Sequence, residues 1–441
     1  MMDNIENSNL YDLFQESLTD DNLFMMGTSV DTGFEWQAID ECREKIDKRL
    51  HVVKERGNIY FNVPWHQFID VQKMRSIDNI FIVGSVLKLN FDGINKEADL
   101  KLCTNVVHDN VKLEKALNAW KSITRFSGKI YPTINEYEEA RKCEKIFDSL
   151  KSTGSKIRKR GQNPADADHN DVLRYRVTCE RIGKHSFESP EAARIIGGEL
   201  QDKYHWLVDL STYHLEIICK IIKNEIVTQL RTTHESKHHR NIMHFGPTTL
   251  RATICYNLLR LAHPNPGDII IDPMCGSGSI PIEGGLAYEN SYMLCGDNHI
   301  KAVLRSKSNI NISCLKSKID LTQWSVTYLP FLNSSIDIVV TDMPFGKRSG
   351  KMSDNRVLYK EFLLQLGRVV RPTTGRLVLL TYDRRSFHLA LQKAGNLFRI
   401  TKILGVNIGG LLAAVYVLKR TKIEYKEFER RTNNDHTITK Q

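Results

Sequence analysis

Residues 267–285 read GDIIIDPMCGSGSIPIEGG. Three successive isoleucines between two aspartates have the length and β-branching of a short buried strand. Asp272 ends that strand, Gly276 and Gly278 follow, and an apolar helical stretch begins directly after them. Glycines in such a loop let the backbone turn tightly and approach a ligand, which the first N–H groups of the helix then face. A dinucleotide fingerprint needs a third glycine where this chain has Pro281, and a P-loop needs a Gly-Lys-Ser/Thr that does not follow. Neither of those phosphate-binding readings fits.

The surrounding pattern supplies another. CGDNH closes the next strand, with Asp297 placed 25 residues after Asp272. A carboxylate there can accept hydrogen bonds from both hydroxyls of a ribose. Strand, Asp-Pro-x-x-Gly-x-Gly, helix, strand, Gly-Asp is the loop of a class I methyltransferase that binds S-adenosylmethionine. Asp272 would lie beneath the methionine moiety, with Met274, Gly276, Gly278 and Asn298 around the cofactor. From about residue 246 the strands DIIID, YMLCGD, DIVVTD and RLVLLTYD alternate with helical stretches. That alternation predicts a doubly wound, mostly parallel sheet. The final FRITKILGVNIGGLLAAVYVLKR predicts a hairpin and one antiparallel strand.

Residues 341–350, TDMPFGKRSG, lie where the DIVVTD strand runs out. The carboxyl ends of strands are where a doubly wound sheet holds its ligands. An exocyclic amine on a nucleobase is a poor nucleophile because its lone pair is delocalised into the ring. Asp342, with a backbone carbonyl held by Pro344, can accept both amine hydrogens and favour the pyramidal form that attacks a methyl group. Phe345 can stack on the base, a contact typically worth ~1–3 kcal/mol. Gly346 leaves the turn open, and Lys347 and Arg348 can meet the flanking phosphates. This is an amino-methyltransferase signature of the Asp/Asn-Pro-Pro-aromatic kind, with Met343 in its second place.

The rest of the chain agrees with a nucleic-acid partner. Residues 1–33 hold seven acids and no lysine or arginine, so the net +10 of the 441 residues becomes +17 over the remainder. Such an excess suits a polyanion. No apolar run approaches the ~18 residues that cross a bilayer, and no basic-then-apolar signal pattern opens the chain. A soluble, unexported protein is expected. The nine cysteines form no C-x-x-C pair, which argues against a zinc ribbon and a disulfide framework. His234, His238 and His239 have metal-capable spacing, but no acid or cysteine completes the set, and no metal is expected. Before residue 246 come a helix around Trp36, Ile39, Ile46 and Leu50, strand-like HVVKERGNIYFNVP and NIFIVGSVLKLNF, and a largely helical 110–150. A small α+β module opens at Leu173, with LRYRVTCERIG, a Ser-Pro-capped helix, and two strands joined at KNE.

Taken in order, RYRVTCERIGKHSF, EAARIIGGELQD, RNIMHFGPTTLRATICYNLLRLA, DPMCGSGSIPIEG, GDN, TDMPFGKR, PTTGRLVLLT and NIGGLLAAVYVL resemble the THUMP-domain tRNA guanine-N2 methyltransferases. The resemblance spans roughly residues 34–420. It implies an α/β fold in which a Rossmann-like class I methyltransferase domain (236–420) follows ferredoxin-like (34–165) and THUMP (166–235) α+β domains. Residues 1–33 are expected to be a disordered acidic tail, and 421–441 a polar one. The implied activity is formation of N2-methylguanosine in a tRNA acceptor stem, at position 6, with the THUMP domain gripping the 3′ end. It also implies a small zinc-binding activator subunit as heterodimer partner. A cytoplasmic location is expected, and a nuclear one is compatible. Flipping a paired guanine costs a few kcal/mol, and an end-gripping module would select the pair presented. SKIRKRG, with Arg158, Lys159 and Arg160, and SKHHRN, with Lys237 and Arg240, are candidate phosphate contacts. One departure stands out. Where the family pattern has an aspartate for the adenine amine, this chain has Ser325, a weaker acceptor. Two alternatives remain open at this stage: a catalytically weak tRNA-binding scaffold, and an amino-methyltransferase acting on adenine in other RNA or DNA.

Overall fold

The computed structural model describes residues 9–109, 113–152, 164–239, 241–344 and 352–430. Two units share the chain, and each is discontinuous in sequence. The first takes Met1–Ser29, Cys42–Lys73 and Asn79–Ser236; the second takes Val30–Glu41, Met74–Asp78 and Lys237–Gln441.

The first unit is built from α1 (Leu10–Ser17), β1 (Leu23–Ser29), the end of α2 (Glu35–Lys45), β2 (Val52–Glu55), β3 (Asn58–Pro64), α3 (Phe68–Lys73) and β4 (Asn79–Lys88). It continues with α4 (Lys96–Asp109), α5 (Glu114–Thr124), α6 (Ile134–Ser152), β5 (Arg174–Ile182), α7 (Ser189–Tyr204), β6 (Leu207–Val208), β7 (Leu215–Ile222) and β8 (Glu225–Arg231). All eight strands form one sheet, ordered β2-β3-β1-β4-β8-β7-β5-β6. The expected boundary at 165/166 is therefore not a break: β4 and β8 pair antiparallel from Phe81–Arg231 to Lys88–Glu225. The expected disordered tail is also corrected. Leu10, Leu13 and Phe14 on α1 are buried, and β1 lies inside the sheet between β3 and β4. Charge misled there, because Asp12 and Glu16 occupy the helix's outer face while the apolar residues keep the i, i+3, i+4 spacing of a packed one.

The second unit runs α8 (Ala252–Ala262), β9 (Ile269–Asp272), α9 (Ser279–Ala287), β10 (Tyr292–Asp297), α10 (Ile300–Ile312), β11 (Ile319–Gln323), β12 (Ile338–Asp342), α11 (Met352–Val369), β13 (Arg376–Thr381), α12 (Arg384–Lys393), β14 (Phe398–Ile408) and β15 (Leu411–Arg420). Its sheet is ordered β11-β10-β9-β12-β13-β15-β14. The first five of these strands are parallel, and β15 enters antiparallel between β13 and β14. This is the doubly wound sheet expected, with β11 as the strand the sequence did not reveal. Strand order reverses between β9 and β12, which places a crevice at their carboxyl ends. Among the described residues no helix is long and apolar enough to cross a membrane.

Two short pieces from the N-terminal part of the sequence complete this unit. Helix α8 is buried almost all round, as a helix enclosed on every side must be. Its Thr253 hydroxyl lies 2.9 Å from both Asp31 Oδ2 and Asp78 Oδ1, and Asn257 donates to the Ser76 carbonyl. Arg251 stands 3.2 Å from Asp31, whose pKa is pushed up to about 6 by burial and by Asp78. Glu41, fully buried, accepts from the amides of Arg75 and Ser76 and from the Ser76 hydroxyl. Arg75 in turn reaches Glu283 on α9 at 2.6 Å. Glu41→Gln would set an amide N–H₂ against those donors and remove a charge from each bond. The expected loss is about 2–3 kcal/mol, read as a lower urea midpoint, and an unchanged midpoint would refute this bracing role.

Candidate active site

The loop after β9 is shaped by its glycines. Gly276 has φ +56° and Gly278 +82°, and a Cβ at Gly276 would stand in open space. Conformation, not crowding, is what excludes a side chain at Gly276. Gly278 is the N-cap of α9. The loop's carbonyls are drawn away toward α10: Ser306 donates to Gly276 O at 3.0 Å and Asn309 to Ser277 O at 2.9 Å. Gly296 precedes Asp297 because a Cβ there would meet the Trp324 indole and the Thr322 carbonyl. The Trp324 indole N–H also donates to Pro273 O at 3.1 Å, tying the segment after β11 to the loop.

These elements enclose a cleft of about 740 Å³, within the range of small-molecule sites. All but one of the sequence-predicted cofactor residues line it, namely Asp272, Met274, Gly276, Asp297, Asn298 and Ser325; the exception, Gly278, lies directly between the lining residues Ser277 and Ser279. Asp342 and Pro344 line the same cleft. Phe345, Lys347 and Arg348 lie outside the described residues, as do Arg158, Lys159, Arg160 and Arg240. Lys237 is described, and its ammonium donates to the Met74 carbonyl, so it is engaged within the chain.

Three carboxylates have distinct surroundings. Asp297 accepts from Gly276 N at 3.1 Å and His299 N at 2.9 Å. Each oxygen retains a lone pair for a ribose hydroxyl. Asp272 is held by the Thr341 hydroxyl at 2.7 Å and Met274 N at 3.2 Å, and burial pushes its pKa up to about 7. Asp342 has a buried Oδ1 with no hydrogen-bond partner, and burial, then the charge of Asp272, pushes its pKa up to about 8. A buried acceptor without a donor is costly unless a ligand completes it. The cleft thus fits a cationic, hydroxyl-bearing cofactor and an amine. Pro344's own carbonyl accepts from Tyr359. Met343, the residue before this proline, is restricted to extended backbone and carries the preceding carbonyl of the turn.

Sequence reasoning overlooked part of the wall. Thr249, Ser279, Arg305 and Glu361 also line the cleft. The segment FGPTTL supplies Thr249; it lies in a stretch that carries the family resemblance, but nothing in its residue types marks it as part of the cleft. Ser325 is where expected, but its hydroxyl is 2.8 Å from that of Thr327.

Two outcomes follow. Between the pKa of an unfolded aspartate, 3.8, and about 8, folded Asp342 holds a proton that the unfolded chain releases. Stability of the free protein therefore falls as pH rises through that window. Asp342→Asn should melt higher than the parent at about pH 8, converge with it near pH 4, and transfer methyl more slowly, since its amide oxygen still accepts an amine hydrogen but carries no charge; a gap independent of pH would refute this. Ser325→Asp should bind the cofactor several-fold more tightly by calorimetry, since a charged acceptor replaces a hydroxyl already shared with Thr327. Unchanged affinity would count against an adenine contact there.

Comparison with known proteins agrees with this geometry. Residues 240–414 match the RMKL-like methyltransferase domain family, and residues 144–228 match the THUMP domain. The latter begins ahead of the boundary expected at 166. The chain is 39% identical to the Bos taurus tRNA (guanine(6)-N(2))-methyltransferase THUMP3, over 90% of this chain and 88% of that one. It is 38% identical to the Homo sapiens protein of the same name, over 90% and 89%. The crystal structure of TrmN from Thermus thermophilus aligns with a TM-score of 0.64 at 19% identity, covering 90% of this chain and 99% of that one, and so shares the fold. S-adenosylmethionine is the cofactor of this methyltransferase domain. The chain belongs to the THUMP3 family of tRNA guanine-N2 methyltransferases.

Proposed function

We propose that the chain methylates the N2 amine of a guanosine at position 6 in the tRNA acceptor stem, the THUMP unit gripping the 3′ end. The observation that carries this reading is the buried, partnerless oxygen of Asp342 at the rim of a cofactor-sized cleft. S-adenosylmethionine supplies an electrophilic methyl group on a sulfonium sulfur. Asp342 and the Met343 carbonyl accept the two hydrogens of the guanine amine, which concentrates its lone pair on nitrogen and aims it at that methyl group. The N–C bond would form as the methyl–sulfur bond breaks, leaving a neutral thioether, and the positive charge passed to the amine would be stabilised by Asp342, ionised once a cationic cofactor is bound. The proton leaves afterwards, so no strong base is needed. Asp272 adds negative charge beneath the sulfur, which favours binding the sulfonium form. Asp297 orients the ribose.

The acceptor stem is supported by the basic excess of the chain and by the minor-groove position of the guanine amine, which requires the base to leave the stack. A small zinc-binding activator completes the enzyme as a heterodimer, and the pair works in the cytoplasm, with a nuclear location compatible. These assignments rest on the family resemblance.

The test is transfer of labelled methyl to bulk tRNA, with and without the activator co-expressed, followed by digestion to nucleosides. Labelled N2-methylguanosine that is absent with Asp342→Ala and greatly increased by the activator is expected. Methyladenosine would move the substrate, and tight tRNA binding without label would favour a scaffold.

A further inference from the structure

Two thiols meet at the wall of the cleft. Cys275, in the glycine loop, lines the cleft and is 6% exposed. Cys295 lies on β10, is wholly buried, and pairs in register with Asp272 on β9. Both are free cysteines. The main chain sets them side by side, since Cys275 N donates to Gly296 O at 3.0 Å. Their side chains are hydrogen-bonded as well. That bond, together with burial, holds the proton on Cys295 and raises its pKa well above the usual thiol value.

The thiols belong to a relay that ends on the glycine loop. Ser306 has a single hydroxyl hydrogen, which goes to Gly276 O at 3.0 Å. In the 3.5 Å contact between Ser306 Oγ and Cys275 Sγ, the thiol is therefore the donor. Cys295 donates to Cys275, Cys275 to Ser306, and Ser306 to the carbonyl of Gly276. The amide of Gly276 donates in turn to Asp297 at 3.1 Å, so a shift of this residue is passed to that carboxylate. Methyl transfer requires neither sulfur, and hydroxyls would serve the relay as well. What a pair of adjacent sulfurs adds is oxidation to a disulfide.

We propose that Cys275 and Cys295 are an oxidation site at which hydrogen peroxide forms a reversible disulfide that weakens cofactor binding. The inference rests on S-adenosylmethionine being the cofactor and not on the choice of nucleoside. Exposure fixes the order of events: peroxide reaches Cys275 through the cleft, and enclosed Cys295 is the resolving thiol. The Cys275 sulfur, as thiolate, attacks one peroxide oxygen. The S–O bond forms as the O–O bond breaks, and the departing hydroxide takes up the thiol proton as water. The Cys295 sulfur then attacks the sulfenic acid sulfur; the S–S bond forms, the S–O bond breaks, and the Cys295 proton leaves with the hydroxide as a second water. The two sulfurs are oxidised and the peroxide oxygens reduced. The disulfide has no S–H to donate, so Ser306 loses the thiol that orients it and the loop carbonyl loses a fixed anchor. A bound cofactor covers Cys275 and protects it.

The test uses the full chain, fully reduced, then treated with hydrogen peroxide and freed of the excess. Peptide mapping should find Cys275 joined to Cys295 in a product lighter by two hydrogens. Calorimetry with S-adenosylhomocysteine should show affinity weakened about 10-fold, the equivalent of one hydrogen bond, and restored by dithiothreitol. Saturating S-adenosylhomocysteine added before the peroxide should slow the linkage. Cys295→Ala should bind as the reduced parent does, form no disulfide, and after peroxide carry a sulfenic acid on Cys275 that dimedone labels. Cys295→Ser keeps a hydrogen-bond donor at that position and should behave alike, which separates lost chemistry from lost packing. Oxidation confined to the exposed thiols Cys143 and Cys314 would overturn the inference. So would a Cys275–Cys295 disulfide that leaves affinity unchanged, or a loss of affinity that dithiothreitol does not reverse. A reduced parent that does not bind S-adenosylhomocysteine would overturn the cofactor assignment and the inference with it, whatever the peptide map shows.

Discussion

The organisation of the catalytic unit follows from burying two carboxylic acids side by side. Asp272 and Asp342 end neighbouring strands, Asp272 buried whole and Asp342 with its Oδ1 out of water, and each resists ionisation. Such a pair disfavours the folded state unless the surrounding structure fixes it in place. The fixing is visible in β12, where Ile338, Val339 and Val340 are wholly buried and pair with β9 on one side and β13 on the other. Thr341, also wholly buried, donates to Asp272. Apolar packing of the sheet thus holds the acids near one another, and an incoming cation relieves them. The same energetic tension that weakens the free protein strengthens its attraction for a positively charged cofactor.

Viewed along the cleft, charge is sorted by position. Asp272, Asp297 and Asp342 gather at the strand ends, while the glycine loop and α10 present donors. The sorting depends on the carbonyls of Gly276 and Ser277 being tied to Ser306 and Asn309. Those α10 residues touch the loop's far side, so a helix that contributes only one cleft residue of its own, Arg305, still decides what the loop can bind.

The legible parts of this protein are those with short-range causes. Isoleucine-rich β9, the two positive-φ glycines and the stiff Asp-x-Pro turn each declare themselves within a few residues, and all meet at one cleft. The strand pattern of β5, β7 and β8 was readable for the same reason. What escaped depends on distant partners. β1 looked like part of an acidic tail because its pairing with β3 and β4 is invisible locally. β11 has only one buried residue, Ile319, and its alternation is too weak to mark a strand. Thr249 comes from a stretch that carries the family resemblance but no ligand signature, Arg305 from one with neither, and only the folded sheet brings them together.

The discontinuity of the catalytic unit has a consequence for biosynthesis. Val30–Glu41 and Met74–Asp78 leave the ribosome before any strand of the sheet they brace has been made. At ~5–20 residues per second, their partners on α8 follow only after many seconds. Buried acids such as Glu41 and Asp31 must wait in water through that interval, ionised and unpaired. The N-terminal sheet can close around its own strands in the meantime, but the methyltransferase cannot finish folding as a late, independent domain. A fragment beginning at Lys237 would carry every cleft residue named above and still lack the carboxylates that hold Thr253, the Ser76 carbonyl that accepts from Asn257 and the guanidinium that pairs with Glu283. The boundary drawn by sequence similarity and the boundary of what folds are therefore different objects in this chain.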